Sequence, residues 1–544
     1  MSPPPGSAAL VSILLACPKC GGPFVVDDET RAVQCEHCGS LLMLEAPDRD
    51  ELYVLDGQVG SPAELMEILV EYRVQAQRAE IVHRYRDSDD KPPPEAFIQA
   101  RLRAYEKKLR GIVRLLEAHA LQVPYWHITG TLVQGMLGRV QQDVKTTRVR
   151  AYAVEHTIPG YDPRRANLRD RGLRLDPSRA RPLTVSLIAE RGQFLPRIAV
   201  PEQRYRELDK WLGQRLDREI DPITTDGRFL FPRRILVYRP YWLGHLVTDR
   251  GPEWILFDGS FRTIAGYPGG PEVRALCALR DADPLASGAE AYRRVLIVAP
   301  RCPDCGHERV FDRRAVIEVC LNCHRGLRLA TPRLLNAPYA HSAGDASDLD
   351  AEYLPFWRFG LHVRLSDGRE ADSVESWLRQ LAPQAPQGSG PAARHLYVPA
   401  FRLLGTEVGD RAFKDLAAWI HFAGLEVRDS KVPLGGQPRF ASVSLTEDEA
   451  RQLALFVLLG LVGRPLANRL NALLVRKGLR DAQIEVREAT LLYVPFDRVA
   501  DGVGRADDGL RIPRLLLEAG PALDAQRVTV QSAVAAMDAR GGHG

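Results

Sequence analysis

Eight of the nine cysteines in this 544-residue chain form two sets with the same internal spacing. Cys17-x-x-Cys20 is followed after 14 residues by Cys35-x-x-Cys38, and Cys302-x-x-Cys305 is followed after 14 residues by Cys320-x-x-Cys323. Each cysteine of the second set lies 285 positions after its counterpart. The pattern predicts two four-ligand metal sites, because each Cys-x-x-Cys pair presents two thiolates to one ion and the connection returns the other two.

Zinc is the metal that these two sites favour, held by four thiolates at about 2.3 Å. Iron in a rubredoxin-like site is the alternative, because spacing alone does not separate the two metals. A closed shell of four thiolates leaves no position open for a substrate, so both ions are expected to be structural. Three histidines beside the cysteines, His37, His307 and His324, are predicted not to be ligands.

The segment "CLNCH", which begins at Cys320, also matches the attachment signature of a c-type haem. That interpretation gives Cys302 and Cys305 no role and requires an exported protein. The segment "AALVSILLACP" before Cys17 lacks a basic n-region, so it predicts a linker and a first strand and not a signal peptide. We therefore prefer zinc. Glycine follows three of the four Cys-x-x-Cys pairs and permits a tight turn, whereas His324 follows the fourth.

The length and composition predict a globular protein with several domains, and the abundance of Ala, Leu and Arg with few Lys suggests a bacterial source. Apolar residues make up 45% and charged residues 26% of the chain, and both fractions are ordinary for a soluble protein. The net charge of +4 creates no overall field for nucleic acid. The longest strongly apolar run, residues 453–463, is about half the length of a membrane-spanning helix. We expect a cytoplasmic protein, where clustered thiols hold metal.

The fold class predicted from these patterns is α+β and multidomain. It combines two four-cysteine zinc ribbons, a helical hairpin, and repeated antiparallel β-hairpin or sheet modules with packed helices. The expected units, in chain order, are zinc ribbon 1 (1–48), a helical hairpin (55–120), an α+β sheet domain (121–295), zinc ribbon 2 (296–335), a second α+β sheet domain (350–518) and a flexible tail (519–544).

Capping residues and periodicity predict individual elements within these units. Ser61 to Glu64 predicts the start of a helix to about Asp87, and a second helix is expected from Glu95 to about His119. Thr446 to Glu449 predicts the start of a helix that is apolar on nearly every side. The remaining expectations are a helix at 201–216, strands at 183–190, 253–259 and 293–300, and linkers at 341–352 and 382–394.

A proline next to small or aromatic residues recurs five times, and we call these segments the proline motifs. They occupy residues 122–130, 237–245, 352–360, 396–405 and 492–502. The alternating sequence after most of the prolines predicts a β-strand, with proline at its first residue or at a sheet edge. Trp126, Trp242 and Trp357 are predicted to anchor the core. An exposed aromatic platform for bases or a peptide is the alternative.

The turns "CPKCG", "CEHCG" and "CPDCG" resemble zinc ribbons of transcription factors, RNA polymerase subunits and bacterial adaptor proteins. A ribbon followed by helices and Y-x-P-[FY]-W strand motifs is similar to bacterial paired zinc-ribbon proteins. That group is known chiefly as non-enzymatic, and some members are proposed to act beside membrane-associated machinery. The resemblance implies an adaptor and carries over no catalytic residues.

The sequence contains no phosphate-binding loop, dinucleotide fingerprint, zinc-protease motif or nucleophile elbow. The function expected is therefore a non-enzymatic scaffold or adaptor with two structural zinc ions, which binds other proteins in a cytoplasmic or membrane-associated complex. Cys277 has no partner and is predicted to be a buried or inert thiol.

The alternative function is a nucleic-acid-binding factor of the transcription or replication type, in which the basic segment 145–181 contacts phosphates. An anionic membrane surface is a further candidate partner of this segment. The candidate anion contacts are Lys145, Arg148, Arg150, Arg164, Arg165, Arg169, Arg171 and Arg174.

Overall fold

The structure, a computed structural model, describes the chain in segments between residues 13 and 529. The described residues are 13–26, 30–45, 51–86, 94–140, 144–162, 180–198, 221–279, 285, 294–299, 301–308, 311–330, 333–342, 351–365, 368–381, 394–401, 403, 407–423, 425–429, 438–461, 483–505, 510–517 and 528–529. They form an α+β structure with several β-sheets and two clusters of four cysteines.

The strands are numbered in chain order. Those before residue 300 are β1 (Ile13–Ala16), β2 (Pro23–Val26), β3 (Ala32–Gln34), β4 (Leu41–Glu45), β5 (Glu51–Leu55), β6 (Arg114–Val140), β7 (Val144–Pro159), β8 (Ala180–Pro182), β9 (Gln193–Phe194), β10 (Asp221–Thr248), β11 (Gly251–Asp258), β12 (Thr263–Gly266) and β13 (Arg294–Val298). Those after it are β14 (Ile317–Val319), β15 (Gly326–Ala330), β16 (Arg333–Asn336), β17 (Ala340–Ser342), β18 (Glu352–Arg364), β19 (Glu370–Ala371), β20 (Leu396–Pro399), β21 (Val427–Asp429), β22 (Arg439–Phe440), β23 (Gln483–Val499), β24 (Gly502–Arg505), β25 (Leu510–Pro513) and β26 (Val528–Thr529).

The helices are shorter in total and lie between the strands. They are α1 (Glu64–Arg86), α2 (Glu95–Ile112), α3 (Val185–Glu190), α4 (Gly270–Ala278), α5 (Val374–Leu381), α6 (Glu407–Phe422), α7 (Glu447–Gly460) and α8 (Arg514–Leu517). No helix among the described residues is both long enough and apolar enough to cross a membrane.

Two large mixed sheets hold most of the strands. The first has the order β2-β1-β8-β5-β10-β6-β7-β26, and the second has the order β19-β18-β23-β17-β21. Antiparallel pairs predominate, but β5 runs parallel to β10, and β17 runs parallel to β23. The prediction of antiparallel modules therefore holds for most strand pairs and not for these two, whose partners are far apart in the chain, because long connections allow parallel pairing.

The same arrangement of strands occurs once in each half of the chain. The first half contains the order β8-β5-β10-β6-β7, and the second half contains β21-β17-β23-β18-β20. Each pair has the same orientation as its counterpart, including the parallel pairs β9 with β6 and β22 with β18. The strands also follow one another along the chain in the same order, apart from the short extra strand β19. The duplication therefore extends from the cysteines to the sheets.

The proline motifs occupy equivalent positions in the two sheets. Pro124 on β6 lies opposite Tyr238 on β10, and Pro355 on β18 lies opposite Tyr493 on β23. The reciprocal partners are Pro240 with Gln122 and Pro495 with Tyr353. The central strand pair therefore has one register in both halves, although few side chains in it are the same.

Two of the three tryptophans of these motifs donate equivalent hydrogen bonds to backbone carbonyls. The Trp126 Nε1–H donates to the carbonyl of Ile198 at 2.8 Å, and the Trp357 Nε1–H donates to that of Leu445 at 3.0 Å. Both rings are buried, as predicted for core anchors. Trp242 is only partly buried, and it packs against a smaller core with α1. Each buried indole thus ties a central strand to the segment that follows β9 or β22.

Four of the prolines lie inside long strands, and the prediction that they begin strands or occupy a sheet edge is wrong for them: Pro124, Pro240, Pro355 and Pro495. The N–H and C=O of a strand residue point to the same side. The carbonyl of Pro124 accepts from Gly160, one residue beyond the end of β7, and that of Pro355 accepts from Ala400, one residue beyond the end of β20. The missing N–H of each proline would point to the same side, beyond the end of the neighbouring strand. Proline therefore fits at this position, because no carbonyl of that strand remains to accept from an N–H.

Helices α1 and α2 run antiparallel to each other. Arg78 on α1 contacts Glu95 at the start of α2 (2.9 Å), and Arg110 near the end of α2 contacts Glu67 at the start of α1 (2.7 Å). The pair lies between β5 and β6, where the chain has 58 residues. The equivalent connection in the second half, from β17 to β18, has nine. The two helices are therefore an addition that the repeated sheet does not require.

The predicted start of α1 is confirmed, but the predicted end of α2 near His119 is wrong. The helix ends at Ile112, and Val113 adopts an extended conformation with φ −64° and ψ 122°. From Arg114 onward the backbone pairs with β10. Two β-branched residues in succession weaken the helix, and ladder bonds with β10 outweigh the helical spacing of Leu116, which is exposed.

The segment 183–190, predicted to be a strand, contains helix α3 instead. Thr184 is its N-cap, and its side chain accepts from the N–H of Leu187 at 3.4 Å. Local capping thus prevails over the alternation of apolar residues that suggested a strand. The predicted strands at 253–259 and 293–300 are confirmed as β11 and β13.

The part of α7 from Leu453 to Leu458 is buried, as its sequence predicts, whereas Asp448 and Gln452 near its start are exposed. Six consecutive residues, 453–458, are each at most 4% exposed. Thr446 and Glu449 form the predicted capping box, with Thr446 N to Glu449 Oε2 at 2.7 Å and Glu449 N to Thr446 Oγ1 at 3.2 Å. Val133, Val149 and Leu230 of the first half belong to the same core, so the two halves share buried surface.

Several expected elements lie outside the described residues. They are the helix at 201–216, most of the linkers at 341–352 and 382–394, and nearly all of the tail at 519–544. At the edges of the first linker, β17 ends at Ser342 and β18 begins at Glu352.

Candidate metal centres

The four Cys-x-x-Cys turns have the same backbone hydrogen bonds. In each turn the N–H of the first cysteine donates to the carbonyl five residues later, and the N–H four residues later donates back to the first cysteine's carbonyl. All eight distances are between 2.8 and 2.9 Å. The turns begin at Cys17, Cys35, Cys302 and Cys320. Such a turn directs both side chains of the pair to one side, so that two sulfurs face a common point.

The residue after the second cysteine must adopt the left-handed conformation in every turn. Gly21, Gly39 and Gly306 have φ values of 72°, 68° and 71°, and His324 has a φ of 54°. Glycine reaches this region without a steric penalty, and histidine is one of the side chains that tolerate it. The carbonyl of His324 also accepts a hydrogen bond of 2.6 Å from the Tyr339 hydroxyl. This bond holds the fourth turn in a conformation that its residue does not prefer.

Replacing Gly306 by Ala is expected to lower the stability of the second cluster by about 1 kcal/mol. A Cβ at this position meets no atom within 4 Å, so the cost arises from the backbone alone. His324→Gly removes the same type of strain and is expected to cause no such loss. The measurement is the chelator concentration at which the second cluster releases its metal. Equal losses in both variants would show that positive φ is not the cause.

The cysteines converge in two groups of four. Site 1 consists of Cys17, Cys20, Cys35 and Cys38, and site 2 consists of Cys302, Cys305, Cys320 and Cys323. Within each site all four sulfurs lie within 4.8 Å of one another. No His, Asp or Glu belongs to either group, so the three neighbouring histidines stand apart from the donor atoms, as predicted.

The separations of the sulfurs fit a tetrahedral metal ion. In site 1 the Sγ atoms of Cys17 and Cys38 lie 3.7 Å apart, and in site 2 those of Cys302 and Cys323 lie 3.6 Å apart. Four sulfurs at about 2.3 Å from a common centre stand about 3.8 Å apart in a tetrahedron. A disulfide requires about 2.0 Å between its sulfurs, and all nine cysteines are free thiols. Each site can therefore hold one ion.

Hydrogen-bond donors favour ionisation of one thiol in each site. The hydroxyl and the N–H of Ser40 lower the pKa of Cys38 to about 6. In site 2 the side chain of Asn322 and the N–H of His307 lower the pKa of Cys305 to about 6. Both thiols are thus partly or largely ionised at neutral pH, which is the state that a metal ligand requires.

The other shifted thiols resist ionisation. The N–H of Gly22 lowers the pKa of Cys20, but burial and the neighbouring cysteines raise it by more, to about 11. Burial raises the pKa of Cys323 to about 12, and its cysteine neighbours add to the rise. Negative charge on one sulfur opposes negative charge on the next. A cation at the centre removes this repulsion and lets all four thiols act as ligands.

The other predicted site residues are not brought together in this way. Lys145, Arg148 and Arg150 lie on β7, and the remaining five candidate anion contacts lie outside the described residues. Cys277 was predicted to be buried or inert, and because it is exposed the first alternative is wrong. Partial burial raises the pKa of its thiol, which fits the second alternative. Cys277 follows Leu276 on α4, and Leu276 is the residue that faces the core.

The sequence did not reveal the residues that support the cysteines, such as Ser40 and Tyr339. Their contacts depend on the fold, and Tyr339 lies 15 positions after the residue that it contacts. Comparison with protein-family models, with curated proteins and with solved structures finds no match to this chain. What the chain does is therefore inferred from its own residues.

Proposed function

We propose that the chain is a non-enzymatic scaffold, stabilised by two structural zinc ions in ribbon-like sites, that binds other proteins in a bacterial cytoplasmic or membrane-associated complex. The observation that carries this proposal is the addition of α1 and α2 to only one of two equivalent sheets. The two equivalent sheets form the core of the structure without α1 and α2, so the helix pair is available to bind a partner. Closed four-thiolate sites support a structural role for the metal.

The far end of the helix pair extends away from the main cores, and we call residues 78–86 and 94–102 the arm. The near end of α1 packs on β10 and β11 through Leu65 and Leu69. The arm has only a small core of its own, formed by Ile81, Ile98 and Leu102. The arm is stabilised little by packing against the sheets, and its exposed helix surface is suited to binding a partner.

The arm exposes apolar side chains, and helix α2 carries exposed positive charge at Arg101 within the arm and at three residues that follow it. Phe97 is 55% exposed and Val82 is 50% exposed. Arg101, Arg103, Lys107 and Lys108 are exposed on α2, and none of them forms an ion pair with another described residue. The glutamates of α2 are engaged, with Glu95 bound to Arg78 and Glu106 bound to Arg110. The partner's surface is therefore expected to be acidic with an apolar centre.

Phe97→Glu is expected to remove proteins that co-purify with the chain from its native host, because it replaces an exposed aromatic side chain of the arm by a carboxylate. The matched control is Leu116→Glu, which changes an equally exposed residue on β6. Partner recovery, measured by quantitative mass spectrometry, should fall at least about tenfold for Phe97→Glu only. Recovery that is equal for the two variants would contradict a role for the arm.

A nucleic-acid-binding factor is the second candidate, because the same exposed cations on α2 would suit phosphates. It predicts binding to DNA or RNA that weakens steeply with salt. Reversal of the charges of Arg101 and Lys108 should then abolish binding, as should reversal at Arg164, Arg165 and Arg169 of the basic segment. The absence of binding at low salt would reject this candidate and leave the protein partner.

A further inference from the structure

Backbone pairing around the two metal sites links one site to the other. At site 1, strands β1 and β2 form four residue pairs, from Ile13 with Val26 to Ala16 with Pro23. At site 2 the described residues include one bridge at the corresponding place, between Arg301 and Glu308, which lie 285 positions after Ala16 and Pro23. Strand β13 ends at Val298, shortly before this bridge.

Strand β13 pairs with a strand of site 1. It runs antiparallel to β4 over five residues, from Arg294 with Glu45 to Val298 with Leu41. Strand β4 begins three residues after Cys38, and Val298 lies four residues before Cys302. A three-stranded sheet, β13-β4-β3, therefore joins the ligand-bearing segments of the two sites.

A second backbone contact joins the same segments. The carbonyl of Arg313, which lies between the two cysteine pairs of site 2, accepts from the N–H of Arg31 at 2.8 Å and from that of Ala32 at 3.2 Å. Arg31 and Ala32 lie between the two cysteine pairs of site 1. The loop of each site therefore forms part of the structural support of the other.

Both sites also share one apolar core. Ala32, Leu41 and Met43 come from site 1, and Val298 and Phe311 come from site 2. All five are at most 7% exposed. Loss of order at one site would expose the apolar residues of the other and remove the ladder between β4 and β13. Metal binding orders the segment that carries the ligands, so binding at one site stabilises the bound form of the other.

We infer that the two sites form one cooperative metal unit, in which an ion at either site raises the affinity of the other by about tenfold or more. Linkage requires the effect to be the same in both directions. The consequence for the chain is that its two halves are joined at the sheet β13-β4-β3 only when both ions are bound. Partly loaded protein should therefore be rare.

The first experiment is titration of the metal-free, full-length chain with zinc chloride, followed by native mass spectrometry. Independent sites of equal affinity would give about half of the molecules one ion at half-saturation, and coupling by tenfold would reduce that share to about a quarter. One-ion species at or above the independent share would overturn the inference. A wild-type chain that binds no zinc at all would instead overturn the assignment of the metal sites.

The second experiment reads each site separately. Cys305→Ser damages site 2, and alkylation of the cysteines during chelator titration reports on site 1 by peptide mass spectrometry. Site 1 is expected to release its metal at about tenfold lower chelator activity than in the wild type. Cys20→Ser should have the same effect on site 2. An unchanged midpoint at the intact site in both variants would overturn the inference.

A third experiment changes the shared core without replacing a cysteine, so that coupling can be distinguished from general misfolding. Val298→Ala removes two methyl groups from the shared core. The matched control is Ile297→Ala, which changes the preceding residue of β13, whose side chain is 49% exposed. Val298→Ala is expected to weaken zinc binding at site 1, which contains none of its neighbours in sequence, and Ile297→Ala should not. Weakening confined to site 2 would show that the contact is not a coupling element.

Discussion

Replacing Cys320 by Ser is expected to abolish metal binding at site 2 and to unfold the surrounding segment. Cys320 is fully buried, and its sulfur lies 3.6 Å from that of Cys305. A structural zinc site contributes folding free energy on the order of 10 kcal/mol, and removal of one thiolate forfeits much of it. The measurements are metal content by elemental analysis and hydrogen exchange of residues 301–330.

The matched control is His324→Ala, in the same turn. Its side chain does not belong to the group of donor atoms, so metal content should remain at two ions per chain. With coupled sites, Cys320→Ser should retain fewer than one ion at limiting zinc. Loss of metal in the histidine variant would show that the ligand assignment is wrong, and retention of two ions by Cys320→Ser would show the same.

Trp357→Ala is expected to lower the free energy of unfolding of the second half by about 3–5 kcal/mol. The ring is buried in the largest core of the chain, and its Nε1–H satisfies the carbonyl of Leu445, which immediately precedes the capping box of α7. Truncation leaves a cavity and also an unpaired carbonyl, which costs about 1 kcal/mol more. Urea denaturation followed by circular dichroism measures the change.

Two further variants separate packing from hydrogen bonding at this position. Trp357→Phe retains much of the buried ring but loses the donor, so its cost should be smaller than that of Trp357→Ala. Phe97→Ala changes an exposed aromatic residue and should shift stability by less than about 0.5 kcal/mol. A loss for Trp357→Ala no larger than that for Phe97→Ala would show that the tryptophan is not a core anchor.

Predictions from local sequence succeeded where the physical cause is itself local. The capping residues Thr446 and Glu449 stand three positions apart, and they bond to each other in the fold. The three glycines that follow Cys-x-x-Cys pairs adopt the positive φ expected of them. In each case the interacting groups are a few residues apart, so the chain can make the contact before any tertiary structure forms.

Predictions failed where a distant strand competes with a local preference. The spacing of apolar residues continues the pattern of α2 past Ile112, but pairing with β10 begins at Arg114. Pro124 was expected at the first residue of a strand or at a sheet edge, yet it lies within β6, at the point where β7 ends. Neither neighbour can be identified from the residues nearby, since both contacts join segments far apart in the chain.

The sequence by itself determined the two clusters of four cysteines, each of which could hold a metal ion. Eight cysteines at two identical spacings allow few other arrangements, because thiolate chemistry and turn geometry are both short-range. Only the tertiary structure decided that the sheets are duplicated as well, and that β13 joins site 2 to site 1. Backbone hydrogen bonds define both features, and a strand order can persist while its side chains change. For that reason the cysteines reveal their duplication in the sequence, whereas the strands reveal theirs only when they pair.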